Sequence, residues 1–427
     1  MFKTLVNAWK IDDLRKKILF TLFIILLYRV GVAIPIPYLN AAVLDNIKMF
    51  SEGIFQFVNL LSGSAFSQAT LFALGVSPYI TSSIVMQLLT IAIPALEKKA
   101  KEGQEGQKFI TQITRYVTVG LALITAIGYY MMLKRADALT NEGIFAAIVI
   151  IAAYCAGSSL VMWLAEKVNE FGIGNGISMI LLANIVSGAP SMIGAMVDSI
   201  TTNVVTGSII TAVTLIIGLG MVVFVVFMHD SERRLPIQYA KKVVGRKQYG
   251  GQASNLPIKL TMTGVMPIIF ANSIISIPAT IALFAPAKEG GLWEKILAMF
   301  QPTHWFYAVI SFLLIIAFAY FYAAISFNPI EVANNLKKNG GFVPGIRPGK
   351  PTAEYITKIV NRVVLIGALM LSIIAIVPMI ANIVSGGNLS TLAFSGNSII
   401  IVVGVILETT REIESQMTMR HYKGFLE

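Results

Sequence analysis

A chain of 427 residues in which 56% are hydrophobic and only 13% are charged cannot cover the surface of a water-soluble domain. The composition therefore excludes a soluble globular enzyme and favours a multi-pass, all-α membrane protein. The single cysteine, Cys155, excludes an internal disulfide, and His229, His304 and His421 lie too far apart for metal-ligand spacing.

The apolar segments come first in chain order, because a membrane-spanning helix needs about 20 mostly apolar residues. The first follows a basic N-terminal stretch without a small-residue cleavage site, which predicts a retained helix rather than a signal peptide. We predict ten spans, at about 18–37, 71–95, 114–133, 143–165, 173–198, 207–228, 260–285, 304–326, 357–383 and 398–416.

The 33 Lys and Arg residues are distributed very unevenly between these spans. Most lie in the N-terminus, the C-terminal tail and the loops near 96–115, 166–172, 229–259 and 328–362. The intervening loops on the other side hold only Lys48, Lys134, Arg135, Lys288 and Lys295. Since positive residues mark the cytoplasmic side, both termini are predicted to be cytoplasmic.

One apolar stretch, residues 54–69, fits none of these spans. It reads IFQFVNLLSGSAFSQA and is too short and too rich in Ser, Gly, Asn and Gln to cross a membrane. Two interpretations stay open: an interfacial helix, or a re-entrant half-helix inside a protein-lined cavity.

A short phrase occurs twice, as GVSPYI from Gly75 and as GVMPII from Gly264. The copies fall on the second and the seventh predicted helix, the same position in each half of five. Because five is odd, the second half enters the membrane from the opposite side, which predicts an inverted repeat with its working site at the interface. We expect each proline to weaken its helix locally. Chance similarity of four residues is the alternative.

The predicted helix interiors contain almost no charge and instead offer aliphatic pairs one turn apart or nearly so. Such side chains either face lipid and pack, or form an apolar constriction that blocks ions, and the pattern does not separate the two. An ion-coupled transporter of small solutes would need polar or charged midplane groups. No metal motif or catalytic pair favours an enzyme. The pairs are Ile80 with Ile84, Ile173 with Ile177, Met266 with Ile269, and Ile401 with Ile406.

Two of the basic loops are longer than topology alone requires. Residues 229–259 alternate apolar and basic residues around a Gly-rich bend, which predicts a hairpin. Residues 327–351 are dense in Pro and Gly, which predicts a shaped loop rather than a helix, with Arg347 at its tip. Such projections suit RNA phosphates, anionic lipid headgroups or an acidic protein surface. The first loop offers Arg233, Arg234, Lys241, Lys242, Arg246 and Lys247.

Several long segments together resemble the SecY/Sec61 alpha family of protein-translocation channels over essentially the whole chain. They are IPIP at 34–37, LFALGVSPYITSSIVMQLL at 71–89, EFGIGNGIS at 170–178, ERRLPIQYAKK at 232–242, GVMPIIFANSI at 264–274, GFVPGIRPGKPT at 341–352 and RHYKGF at 420–425. The resemblance implies ten helices in two inverted halves around an hourglass pore. It also implies a channel that passes unfolded polypeptides across the cytoplasmic membrane and releases transmembrane segments sideways, without catalysing a reaction or holding a cofactor.

The resemblance also implies roles for individual residues. The pore ring would be Ile80, Ile84, Ile173, Ile177, Ile269 and Ile406. The plug would be residues 54–69, including Phe57, Leu60, Leu61, Gly63 and Phe66, and the lateral gate would be lined by Gln87 and Asn272. Met266, where many relatives have Ile, would soften the seal.

The implied partners are SecE and SecG subunits, the SecA ATPase, the ribosome, secretory preproteins and nascent membrane proteins, and membrane lipids. SecA and the ribosome would dock on the six basic residues of the first loop and on Arg347. The expected divisions are a cytoplasmic N-terminus at 1–17, an N-terminal half at 18–198, a C-terminal half at 199–416 with loops at about 229–259 and 328–356, and a cytoplasmic tail at 417–427.

Overall fold

The computed structural model describes residues 2–40, 55–239, 242–244, 247–249, 253–262, 264–285, 291–301, 304–384 and 396–423. The first half of the chain contains the helices α1 (Phe2–Trp9), α2 (Asp12–Val32), α3 (Gln56–Ser62), α4 (Ser77–Ala92), α5 (Pro94–Ala100), α6 (Gln104–Arg135), α7 (Ile144–Phe171), α8 (Gly176–Ser187) and α9 (Ala189–Thr202).

The second half contains α10 (Val204–Asp230), α11 (Met266–Ile275), α12 (Ile277–Phe284), α13 (Leu292–Met299), α14 (Trp305–Ser326), α15 (Pro329–Lys338), α16 (Lys350–Val384) and α17 (Gly396–Lys423). Five short strands accompany them: β1 (Glu232–Tyr239), β2 (Lys242–Val244), β3 (Lys247–Tyr249), β4 (Ala253–Lys259) and β5 (Gly341–Phe342).

Among the described residues, seven helical spans are long and apolar enough to cross a membrane. The number is eight if α4 and α5, which meet at an angle of 105°, form a single span. The predicted first and tenth spans correspond to α2 and α17, which do not meet the criteria. Charged residues crowd the first turn of α2, and Glu408, Arg411 and Glu412 interrupt α17. The fold is therefore a helical membrane fold, and the full number of ten spans stays a prediction.

The repeated Gly-Val-x-Pro phrase builds the same turn twice. Gly75 and Gly264 have φ of 53° and 58°, and Val76 and Val265 follow with nearly identical right-handed angles. Each proline then lies in the first turn of its helix, where no backbone donor is needed. The expectation that the prolines weaken a continuous helix is wrong, because α4 and α11 begin at the phrase rather than before it.

The two long basic loops are joined by one sheet of order β4-β1-β5. β1 and β4 form the predicted antiparallel hairpin, with Leu235 opposite Leu256, and β5 adds to the outer end of β1. The prediction that 327–351 contains no helix is wrong, because Pro329–Lys338 forms α15. Asn328 caps it by accepting hydrogen bonds from the backbone N–H groups of Ile330 and Glu331.

The helices pack so that elements of the two halves meet along a seam. α4 contacts α11, and α6 contacts α12, while α8 contacts α17. α3 lies against α8. The largest buried apolar cluster extends through α2, α4, α7, α8, α10, α11, α14, α16 and α17, so the core is centred between the halves.

Candidate functional site

Residues of α4, α8, α11 and α17 share the large buried apolar cluster between the halves, in which α4 contacts α11 and α8 contacts α17. Ile80 and Ile84 of α4 and Ile269 of α11 are almost fully buried in it, and Ile177 of α8 packs against it while partly exposed. These four are the predicted ring residues that the structure brings together. All four side chains are aliphatic, and they belong to or pack against one buried apolar cluster that includes residues of both halves.

Two further members of the same cluster, Leu181 and Ile401, were not among the ring residues predicted from the sequence. Leu181 lies one helical turn after Ile177, and Ile401 lies on α17; both are buried, to 0% and 1% exposure. Leu181 follows Ile177 by the same four residues that separate Ile80 from Ile84, but Ile173 also lies four residues from Ile177, so the spacing alone did not select Leu181. We call these six residues, Ile80, Ile84, Ile177, Leu181, Ile269 and Ile401, the aliphatic cluster.

The structure does not bring Ile173 and Ile406 into the aliphatic cluster. Ile173 precedes α8 and packs with Ala8, Leu14 and Ile413 in a separate cluster. Ile406 is 43% exposed. It follows Ile401 by five residues, which turns an α-helix by about 500° and so places the two side chains roughly 140° apart. Neither residue therefore lies with the other four predicted ring residues in the structure.

Next to the aliphatic cluster lies the segment predicted as the plug, called the plug segment below, which the structure describes over residues 55–69 and which begins with α3. Asn184 of α8 holds it in place. Its amide donates to the carbonyl oxygen of Leu61 at 2.5 Å and to the hydroxyl of Tyr28 at 2.9 Å, and its own oxygen accepts from Arg29 at 3.4 Å. Arg29 therefore lies beside the plug segment, where it donates to the same side chain that holds Leu61.

Gly63 lies where this contact is tightest. Its φ is +64°, and a Cβ atom there would approach Asn184 Oδ1 to 2.7 Å and Arg29 Nη1 to 2.8 Å. Glycine is thus required both by the backbone conformation and by the space. Among the other predicted plug residues, Leu61 and Phe66 are buried, whereas the side chains of Phe57 and Leu60 on α3 lie outside the described part.

Two buried tyrosines hold the far end of the plug segment. Tyr129 of α6 donates to the carbonyl oxygen of Phe66 and packs against its ring, at 4.7 Å between centroids. Tyr154 of α7 donates to the carbonyl oxygen of Ala69 at 3.1 Å. Because these backbone oxygens are buried, each needs such a donor, and the segment is fixed by both its polar and its apolar groups.

The two predicted gate-lining residues lie in different surroundings. Gln87 of α4 lines a groove of about 290 Å³ together with Thr111 and Thr114 of α6 and Ile325 of α14, and the groove therefore spans the seam. Asn272 of α11 is buried and accepts a hydrogen bond from Asn397 of α17 at 3.2 Å. Asn272 thus pairs within the C-terminal half, and only Gln87 lines the groove.

The basic residues of the long loops are carried by the sheet and by a tight turn. Arg233 and Arg234 are exposed on β1, and Arg234 pairs with Glu232 at 2.7 Å. Arg347 is exposed between Gly345 and Gly349, whose φ angles are 82° and 102°. Lys242 and Lys247 lie on β2 and β3 without described side chains, and Lys241 and Arg246 lie outside the described residues.

Comparison with known proteins gives consistent results over almost the whole chain. The profile of the SecY family matches residues 70–410. A protein translocase subunit SecY of Streptomyces galbus is 44% identical over the full length of both chains, and one of Mycobacterium tuberculosis strain H37Rv is 40% identical, also over the full length of both.

Solved structures with the same fold include one described as the structure of a protein conducting channel, with a TM-score of 0.66 and 18% identity over 94% of this chain and 92% of the other. A second, Sec61 in a canine ribosome-channel complex from the endoplasmic reticulum, has a TM-score of 0.62 and 17% identity over 94% and 92%. At these identities the likeness establishes the fold.

Proposed function

Since this chain belongs to the SecY family of protein translocase subunits, we propose that the aliphatic cluster is the constriction of its polypeptide channel and that the plug segment closes it. The observation that carries the proposal is that aliphatic residues of α4, α8, α11 and α17 share one buried cluster with Leu61, whose backbone oxygen accepts a hydrogen bond from Asn184. A narrow apolar constriction excludes ions by dewetting.

The chemistry of the site fits an unfolded chain as the transported species. Aliphatic side chains make no directional bond, so no single side chain of a passing polypeptide is retained strongly. An ion-coupled solute transporter, the alternative from the inverted repeat, finds no support in the comparisons, where the curated relatives are translocase subunits. We assign no bond-making step to this chain.

The seam between α4 and α6 on one side and α11, α12 and α14 on the other is the proposed lateral exit into the bilayer. Gln87 lies in the groove that opens along it. The proposed location is the bacterial cytoplasmic membrane with both termini in the cytoplasm, which the positive-inside distribution of Lys and Arg supports.

On the cytoplasmic side, we propose that the exposed arginines of β1 and Arg347 receive the macromolecules that deliver the polypeptide. A ribosome and a SecA-type ATPase are the partners, with SecE- and SecG-type subunits beside the helices. Sec61 in the canine ribosome-channel complex and a yeast Ssh1 complex bound to the 80S ribosome have a similar fold, which favours the ribosome part of this proposal.

The constriction is tested by crosslinking a stalled precursor to single cysteines in a Cys155→Ser background. Ile80→Cys, Ile269→Cys and Ile401→Cys should give precursor adducts, because their side chains lie in the aliphatic cluster. Ile173→Cys and Ile406→Cys are matched controls of the same chemistry outside it. Adducts should be at least tenfold weaker at the controls.

The result would contradict the constriction if Ile406→Cys reacted as well as Ile401→Cys. It would contradict the channel function itself if a precursor that reaches the far side of reconstituted vesicles gave no adduct at any of the three cluster positions.

A further inference from the structure

A second contact between the two halves lies at the C-terminal end of α6, outside the aliphatic cluster. Arg135, the last residue of α6, donates to the carbonyl oxygen of Leu283 at 3.2 Å and to that of Phe284 at 2.9 Å. Both acceptors end α12. One side chain therefore connects the N-terminal half to the C-terminal half by two hydrogen bonds.

The geometry at the end of α12 explains why an arginine suits this place. The last carbonyl groups of a helix have no partner within it and carry its negative dipole end. Arg135 takes two of them, and Trp293 of α13 donates its indole N–H to the next, that of Ala285, at 2.8 Å. The planar guanidinium reaches two acceptors at once, which an ammonium group cannot do in the same geometry.

Close packing at the same place supports the contact. A Cβ atom at Gly128 of α6 would approach the ring of Phe284 to 2.7 Å and Leu283 Cβ to 3.1 Å. Leu283 and Ala279 are buried in one cluster with Tyr129 and Met132 of α6. The apolar surfaces of α6 and α12 are thus in direct contact, and Arg135 lies at their open end.

We propose that Arg135 is a clasp across the seam that sets how readily the two halves part, and hence how apolar a targeting segment must be to open the channel sideways. This proposal rests on the proposed function. Opening the seam separates α6 from α12 and must break both hydrogen bonds. The exposed carbonyls then bind water, so the clasp biases the equilibrium toward closure without locking it.

The neighbouring Lys134 provides a matched control. It also lies in the last turn of α6, is also exposed, and makes its ion pair with Glu142 at 3.1 Å, entirely within the N-terminal half. Lys134→Met removes one positive charge from the same surface, as Arg135→Met does, but it breaks no contact between the halves among the described residues.

The proposed role of Arg135 is tested by measuring the distance between α6 and α12, which does not depend on transport activity. Spin labels on Ile124→Cys in α6 and Ile281→Cys in α12, both exposed positions, report the separation of the helices in a Cys155→Ser background in lipid nanodiscs. Arg135→Met should raise the ratio of long to short distances roughly threefold to tenfold, which corresponds to the net contribution of about one ordinary hydrogen bond. Arg135→Lys should restore part of the short population, and Lys134→Met should match the parent.

A second measurement tests whether the separation of α6 and α12 determines which precursors are exported. Vesicles with Arg135→Met should export a precursor with a shortened apolar targeting segment several times better than the parent, while export of the full-length precursor stays equal. The clasp is refuted if Arg135→Met leaves the distances unchanged, or if Lys134→Met shifts them equally. If no variant, including the parent, exports any precursor, the proposed function fails while the distances still decide whether the clasp exists.

Discussion

At the scale of single residues, Asn184 shows how one polar side chain organises an apolar site. It lies within the helix sequence GISMILLANIVS, and its donor and its acceptor atoms are both engaged. An amide without partners in such surroundings costs several kcal/mol, roughly 2–7. Asn184 is therefore tolerated because the plug segment and α2 supply its hydrogen-bond partners. The same hydrogen bonds fix the position of the plug segment.

Replacing Asn184 by Leu should loosen the plug segment and raise ion leak. The change leaves the Leu61 carbonyl and the Tyr28 hydroxyl without this partner, at a cost of about 1–3 kcal/mol for each buried group. Gly63→Ala should act in the same direction through its positive φ and its contact with Asn184. Conductance of reconstituted bilayers measures both.

Ser187→Ala is the control for Asn184→Leu, because the Ser187 hydroxyl only donates to the backbone oxygen of Asn184 within the same helix. Its conductance should equal the parent value. Equal conductance in all three variants would refute the anchoring role of Asn184.

Some residues of this site could be predicted from the sequence and others could not, and the difference has physical causes. The four-residue spacing of Ile80 and Ile84 identifies one helix face, so that pair was predictable. The choice between Ile401 and Ile406 depends on the rotation of α17 about its axis, which only its packing sets. Tyr129 and Tyr154 gave no signal, because their acceptors are backbone oxygens 63 and 85 positions away.

At the scale of elements, the repeated turn before α4 and α11 is the clearest structural unit. The glycine permits a left-handed residue, and the proline then starts the helix with its φ already fixed. The sequence predicted the repeat but placed the prolines inside helices, since an apolar run does not reveal where a helix begins. For the same reason α15 was not predicted: Asn328 and Pro329, which begin it, stand in a stretch whose Pro and Gly content is typical of a loop.

Substituting Ala for Gly75 or Gly264 should destabilise the protein by about 1–2 kcal/mol, the cost of a left-handed conformation for a residue with a Cβ atom. Space is not the cause, because the nearest atoms to a Cβ would be 3.6 Å away at Gly75 and 4.0 Å away at Gly264. Thermal unfolding in detergent measures the change.

Gly120→Ala in α6 is the matched control, since nothing lies within 4 Å of a Cβ there and Ala favours a helix interior. It should not lower the unfolding temperature. A turn variant as stable as Gly120→Ala would show that the left-handed glycine is not needed.

At the scale of the whole molecule, the sheet β4-β1-β5 links what the sequence presents as two separate loops. Its inner face buries Leu235, Ile237 and Ile258 against Leu336 of α15 and Ile356 of α16. α16 in turn packs on α14 and α17. The basic surface is therefore connected through packed elements to α14 at the seam and to α17, which carries Ile401.

A substitution at Arg347 gives the clearest test of whether this basic surface binds a partner. It lies between two left-handed glycines, its backbone oxygen accepts from Thr352 at 2.8 Å, and its guanidinium makes no ion pair within the described part of the chain. The loop thus holds the side chain outward with its donors free for a carboxylate or phosphate, which arginine binds through two parallel hydrogen bonds.

Arg347→Glu should lower ATP-driven export from membrane vesicles at least tenfold while the protein remains inserted and its ion conductance stays unchanged. Lys350→Glu makes the same change of charge three residues away, at the first position of α16, where an acidic side chain is favourable to the helix. Its export should fall by no more than about twofold, because a lysine is a point charge without the paired donors. Equal losses in the two variants would mean that net charge, not the held guanidinium, attracts the partner, and undiminished export in Arg347→Glu would remove Arg347 from the docking surface.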